Sequence, residues 1–107
     1  VAGLDIEITA GPIRPIAASV AFADTPLIEG PCALYGWSFR ETTGVNPAQY
    51  KLMSGSQILA EFVIGAGLSD TKWLGAMGVY AGGGITVHPV GGETGSIEGV
   101  VYAGYYS

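Results

Sequence analysis

The sequence predicts an all-β fold, a compact antiparallel β-sandwich of jelly-roll-like form with short glycine-rich turns, and three observations lead there. Apolar residues recur at period two in at least five segments, 18 glycines and 6 prolines separate those segments, and no stretch keeps a helical period beyond about two turns. Turn spacing alone leaves an immunoglobulin-like topology open, although the Cys-Trp-Cys arrangement of true immunoglobulin domains is missing. A chain of 107 residues suits one domain. Residues 1–10 read as a strand or arm placed to contact a neighbour, and residues 11–107 as a single sandwich domain.

The chain is organised around Leu34 to Glu41, where Tyr35, Trp37 and Phe39 alternate with Gly36, Ser38 and Arg40. A helix would scatter these rings around its circumference, so the pattern predicts a central strand with all three rings in the core. Ahead of it, Leu4, Ile6 and Ile8 alternate with Asp5 and Glu7, predicting a first strand whose Ile6 and Ile8 are candidate interface residues. Gly11-Pro12-Ile13-Arg14-Pro15 stops that strand, because proline gives no ladder donor. Ile16 to Ala23 follows as a strand with Ile16, Ala18, Val20 and Phe22 inward, and Asp24 to Pro31 reads as a turn-rich link.

Beyond the central strand, Ala48 to Met53 and Gln57 to Ile64 predict a hairpin about Ser54-Gly55-Ser56. Tyr50 and Leu52 share a face of its first strand, and Ile58, Ala60, Phe62 and Ile64 a face of its second, with Ile58 and Phe62 assigned to the core. A short strand is expected to bring Trp73 onto the core, followed by strands over Met77 to Tyr80 and Ile85 to Val90, with Ile85 and Val87 on one face. The final strand, Ser96 to Tyr105, places Val101 in the core, on the face that it shares with Ile97, Gly99, Ala103 and Tyr105. Its other face carries Val100, Tyr102 and, just beyond, Tyr106. Both faces are apolar, which suggests that a neighbour covers the outer one, so Val100, Tyr102 and Tyr106 join the candidate interface.

Composition narrows the function. Charged residues form only 12% of the chain against about 25% in an ordinary soluble domain, so the surface presents Gly, Ala, Ser, Thr and isolated apolar groups. Such a surface is poorly protected against self-association and points to a homo-oligomer. Four basic residues, far apart in sequence, and a net charge of −5 argue against nucleic acid. Trp73 to Gly92 lacks formal charge over a length that would span a bilayer, but its Gly82-Gly83-Gly84, His88-Pro89 and Gly91-Gly92 exclude a membrane helix. Asp5 and Glu7 stand where a signal peptide would carry basic and apolar residues.

Groups for chemistry are few, and no catalytic, cofactor-binding or metal residue is assigned. His88 is the sole histidine and lacks close ligand spacing to Cys32 or to any carboxylate pair, so it reads as a surface or interface residue. No serine sits in a nucleophile-elbow pattern, and the glycine runs lack the Lys-Ser/Thr of a nucleotide loop. Asp5 and Glu7 share a strand face but read as solvated. Cys32 reads as a small, half-buried side chain at the entry to the central strand, and as the only cysteine it cannot form an internal disulfide. Trp73, Tyr80, Tyr102, Tyr105 and Tyr106 would form a carbohydrate-stacking surface if they emerged together.

Ala33-Leu34-Tyr35-Gly36-Trp37-Ser38-Phe39-Arg40-Glu41-Thr42-Thr43-Gly44, together with Ser96-Ile97-Glu98-Gly99-Val100-Val101-Tyr102, resembles segments of small β-rich virion proteins of tailed phages of actinobacteria. The resemblance extends over most of the chain from Ser19 onward. It implies a non-enzymatic capsid decoration or cement protein, a trimer that binds the major capsid protein on the outer surface of the virion after synthesis in the host cytoplasm. Similar small sandwiches also occur in phage tails and fibres. No catalytic residues come with the resemblance.

Overall fold

The computed structural model describes residues 11–21, 23–91 and 94–106. Among them, nine strands run in chain order: β1 (Arg14–Val20), β2 (Thr25–Ile28), β3 (Cys32–Glu41), β4 (Ala48–Ser54), β5 (Gln57–Ile64), β6 (Ser69–Trp73), β7 (Val79–Ala81), β8 (Ile85–Pro89) and β9 (Ile97–Tyr105). They build two sheets, one in the order β1-β9-β3-β6 with β7 also paired to β3, the other in the order β2-β8-β4-β5. Every pairing is antiparallel. Four of the pairs are nested in sequence: β1 with β9, β2 with β8, β3 with β6, and β4 with β5 at the centre. The chain is thus an all-β, two-sheet globular fold.

Alternation along each strand turns one apolar face inward. The first sheet contributes Ala18, Val20, Leu34, Trp37, Phe39, Ile97 and Val101 to a core completed by Tyr50, Leu52, Phe62, Ile64, Ile85 and Val87 of the second. Phe62 lies at its centre, stacked on Trp37, Phe39 and Tyr50 with ring centroids 5.3, 5.5 and 6.4 Å away. Each such pair is worth about 0.5–1.5 kcal/mol beyond the area it buries. The polar ends of the large rings are also satisfied: the Tyr50 hydroxyl donates to the Gly95 carbonyl (2.6 Å), and Trp37 Nε1 donates to Asp70 Oδ2 (3.1 Å).

Three bulges change what strict alternation predicts. In β3, Leu34 pairs with Ala103 and Gly36 with Tyr102, so Tyr35 is an extra residue. An inserted residue inverts the facing of everything beyond it. Cys32 and Leu34 therefore share the inner face with Trp37 and Phe39, whereas Tyr35, expected in the core beside them, is buried on the outer side of the sheet. In β5 the extra residue is Leu59, between Ile58 opposite Met53 and Ala60 opposite Leu52. Leu59 packs against the core, and Ile58, expected inside, is 54% exposed. Ile58→Thr should accordingly cost less than about 1 kcal/mol in a urea titration.

The third bulge, at Leu27, lies in β2, where a turn-rich link was expected. Pro26 and the four-residue length hid this strand, which pairs with β8 at the edge of the second sheet. Strand β6 forms as anticipated, but its Trp73 points outward and is 56% exposed, a correction to its placement on the core. Cys32 is fully buried, more deeply than its position at a strand entry suggested. The expected strand over Leu4 to Thr9 and the inward Phe22 lie outside the described residues.

At the far end of β3, Glu41 is only 1% exposed. Its Oε1 accepts hydrogen bonds from the Thr43 hydroxyl (2.9 Å) and from the amides of Gly44 (2.7 Å) and Gly67 (3.2 Å), and its Oε2 accepts one from the Thr43 amide (2.8 Å). Burial alone would raise its pKa. The four donors outweigh that effect and hold the carboxyl at about 2, below its ordinary 4.5. One side chain thereby joins the β3–β4 loop to the β5–β6 loop.

Candidate interaction surface

Because Ile97, Val101 and Ala103 face the core, Glu98, Val100 and Tyr102 project from the outer face of the first sheet. Register places three rows across that face. Pro15, Tyr102, Gly36 and Trp73 lie in one row, Ala17, Val100, Ser38 and Thr71 in the next, and Ser19, Glu98, Arg40 and Ser69 in the third. The first row is apolar and aromatic, the second mixes apolar and hydroxyl groups, and the third carries one charge of each sign. Ser38 and Thr71 hydroxyls are 2.9 Å apart on the exposed surface.

The bulge gives the first row its depth. Tyr35 stacks beneath Trp73, with ring centroids 6.1 Å apart and planes at 21°. Gly36 lets β6 approach, since a Cβ there would run into the Lys72 carbonyl oxygen. The Leu74 amide donates to the Tyr35 carbonyl (2.8 Å), turning the following loop over the ring. Gly78 closes that loop at φ +68°, and a Cβ on it would meet the Tyr35 ring at 3.0 Å. Beyond the loop, Tyr80 stands opposite Ala33 of β3 and packs against Tyr106 at 5.5 Å. Tyr80 is 59% exposed. Two ring pairs, with Tyr102 beside the first, therefore form an aromatic surface on a rigid sheet.

Of the residues expected at an interface, Val100, Tyr102 and Tyr106 contribute to this surface, each half-buried. His88 does not. It lies on the outer face of the second sheet, opposite Lys51 of β4, and its Nδ1 is paired with the Asp24 carboxylate. Ile6 and Ile8 lie outside the described residues. Trp73 and Tyr80, grouped in the sequence with Tyr102, Tyr105 and Tyr106 as rings that could emerge together, complete the surface. Tyr105 is separate from it, since it follows the inward parity of Val101 and Ala103 to the end of β9.

Among the described residues, no three of His, Cys, Asp and Glu gather where they would hold a metal ion, and no cleft opens in the surface. Burial pushes the Cys32 thiol pKa up, which keeps it protonated and poorly nucleophilic. No helix among the described residues is long and apolar enough to cross a membrane. What the geometry offers is the exposed aromatic face of the first sheet. No protein-family model, curated protein or solved structure matches the chain.

Proposed function

We propose that this chain is a non-enzymatic virion structural protein, a decoration subunit that binds the outside of a phage capsid and strengthens it through the aromatic outer face of its first sheet. The observation that carries the reading is that face. It presents Val100, Tyr102, Trp73, Tyr80 and Tyr106 on one sheet face, in a chain with only 12% charged residues. Large rings held rigid on a sheet supply contact area at low entropic cost, and tyrosine and tryptophan dominate the energetic centres of protein interfaces. A subunit whose binding surface exists only on assembled capsomers stabilises the shell by mass action. The acidic chain would be repelled by packaged DNA, which favours the outer surface.

Strand order supports the same reading. The nested pairs describe a long antiparallel ribbon whose tip is the β4–β5 hairpin, and winding that ribbon yields sheets β1-β9-β3-β6 and β2-β8-β4-β5. We read this order as jelly-roll-like, with β7 added beside β3; jelly rolls are used in viral capsid and lectin domains.

The test is to add purified protein to capsids stripped of it and to image the particles. Copies should occupy regular positions on the shell, and Trp73→Asp should weaken binding by about 2 kcal/mol, roughly thirtyfold, while the fold persists. Copies confined to the tail would keep the structural class and defeat decoration. A chain that ignores shells but binds a defined glycan would replace this reading by a carbohydrate-binding module, which the exposed Trp73 ring beside the Ser38–Thr71 hydroxyls favours.

A further inference from the structure

Among the described residues, the edge strands are β1 on one side of the first sheet and β6 with β7 on the other, and β2 and β5 in the second sheet. An edge strand exposes unpaired N–H and C=O groups that another strand can satisfy, and proteins block such edges with proline, short length or charges turned inward. Each of these but β5 carries at least one such feature, β7 by its length of three residues. Pro15 lies within β1. Strand β2 has four residues, including Pro26, and is bulged. Strand β6 has five residues and places Asp70 and Lys72 on its inner side, alternating with outward Thr71 and Trp73.

Strand β5 has none of these protections along Ala60–Ile64. It is eight residues long, contains no proline, and its one charge, Glu61, points out to solvent. The bulge at Leu59 disturbs only its first part, so Ala60 to Ile64 run in regular register with β4. Val63, on the same outer face as Glu61, is 62% exposed, and Ile58 beyond the bulge is 54% exposed. A free edge of this kind calls for a β-strand as its occupant.

We propose that β5 is the edge through which two copies of this chain join, by antiparallel β5–β5 pairing about a two-fold axis at Phe62. The edge is self-complementary in that register, which pairs all of Ala60–Ile64, whereas centring on Val63 would leave only Phe62 to Ile64 paired within the strand and set Glu61 opposite Gly65 beyond its end. Centring on Phe62 opposes Ala60 to Ile64 on the inner face and Glu61 to Val63 on the outer, so every pair matches in facing and no carboxylate meets another. Centring on Glu61 would oppose two like charges, and a shift by half a pair would set inward residues against outward ones. Such a pair is isologous and closes on itself, joining two four-stranded sheets into one of eight. The inference rests on the edge alone and stands whether or not the protein decorates a shell.

Sedimentation equilibrium from micromolar to millimolar protein tests it. The wild type should follow a monomer–dimer equilibrium. Val63→Glu sets a carboxylate opposite Glu61 twice per dimer and should raise the dissociation constant roughly tenfold. Glu61→Lys added to that variant turns both repulsions into attractions and should restore dimerisation. Amide exchange on the wild type gives a readout independent of any variant: protection along Ala60–Ile64 should rise with concentration while that of the β1 edge stays constant. A wild type monomeric throughout, a dimer indifferent to Val63→Glu, no rescue by the second charge, or concentration-independent β5 amides would each overturn the proposal.

Discussion

Truncating Trp37 to alanine is expected to lower the stability of the fold by about 3–5 kcal/mol, read as a fall in the urea midpoint with an unchanged slope. Three losses combine. The ring is 4% exposed, so its apolar area would be forfeited, and the neighbouring strands are too well fixed by their ladders to collapse into the space. Its stack on Phe62, at 5.3 Å, is one of the contacts that hold the two sheets in register. Its Nε1 is also the donor to Asp70 Oδ2, so the carboxylate on the edge strand β6 would lose a partner across the sheet. The chain carries its own control. Trp73 is 56% exposed and stacks on Tyr35 from the solvent side, so Trp73→Ala should cost only about 1 kcal/mol. Equal losses at the two tryptophans would mean that the inward and outward faces of the first sheet have been misassigned.

That contrast between the tryptophans shows how far alternation can be read. The period-two pattern locates β3, β4, β5 and β9 closely, because each has one inner face of large apolar groups and a turn rich in glycine at its end. What it does not reveal is a change of phase within a strand. Tyr35, Leu59 and Leu27 are each one residue too many for the partner strand, and nothing in their local sequence differs from a regular alternation. Tyr35 moves to the outer face and Ile58 into solvent for this reason. The aromatic surface was only half legible on the same grounds. Val100 and Tyr102 follow from the two apolar faces of β9, but grouping Trp73 with Tyr35 depends on the bulge, and grouping Tyr80 with Tyr106 depends on β7 lying beside β3. His88 and Val100, placed together as interface candidates, fall on opposite sheets because sequence spacing carries no strand order. Glu41 was legible as the end of a strand and not as a buried hub, since its donors come from the loops on either side of the β4–β5 hairpin.

The acid response of the protein should be governed in part by that carboxylate. Glu41 has its folded pKa lowered to about 2 from an ordinary 4.5, so between those values the unfolded chain binds a proton that the folded chain refuses. The sign is therefore fixed: the stability that Glu41 contributes is fully present above its unfolded pKa, declines as the pH falls below 4.5, and is gone once the pH passes through about 2. Glu41→Gln keeps the shape of the side chain but puts an NH2 in place of one carboxylate oxygen: with the amide oxygen where Oε1 stood, its N–H donors would face the Thr43 amide, and with the two ends reversed they would face the amides of Gly44 and Gly67. At neutral pH the variant should melt roughly 10 °C below the wild type, because buried donors lose their acceptor. On titration from pH 6 to about pH 2 its melting temperature should fall less steeply than that of the wild type, and the two curves should converge at the acid end. Thermal melts across that range, followed by far-ultraviolet circular dichroism, measure both quantities. Parallel curves would show that the carboxylate is not held ionised by the loop amides. A variant as stable as the wild type at neutral pH would show that the β3–β4 and β5–β6 loops are fastened by something other than Glu41.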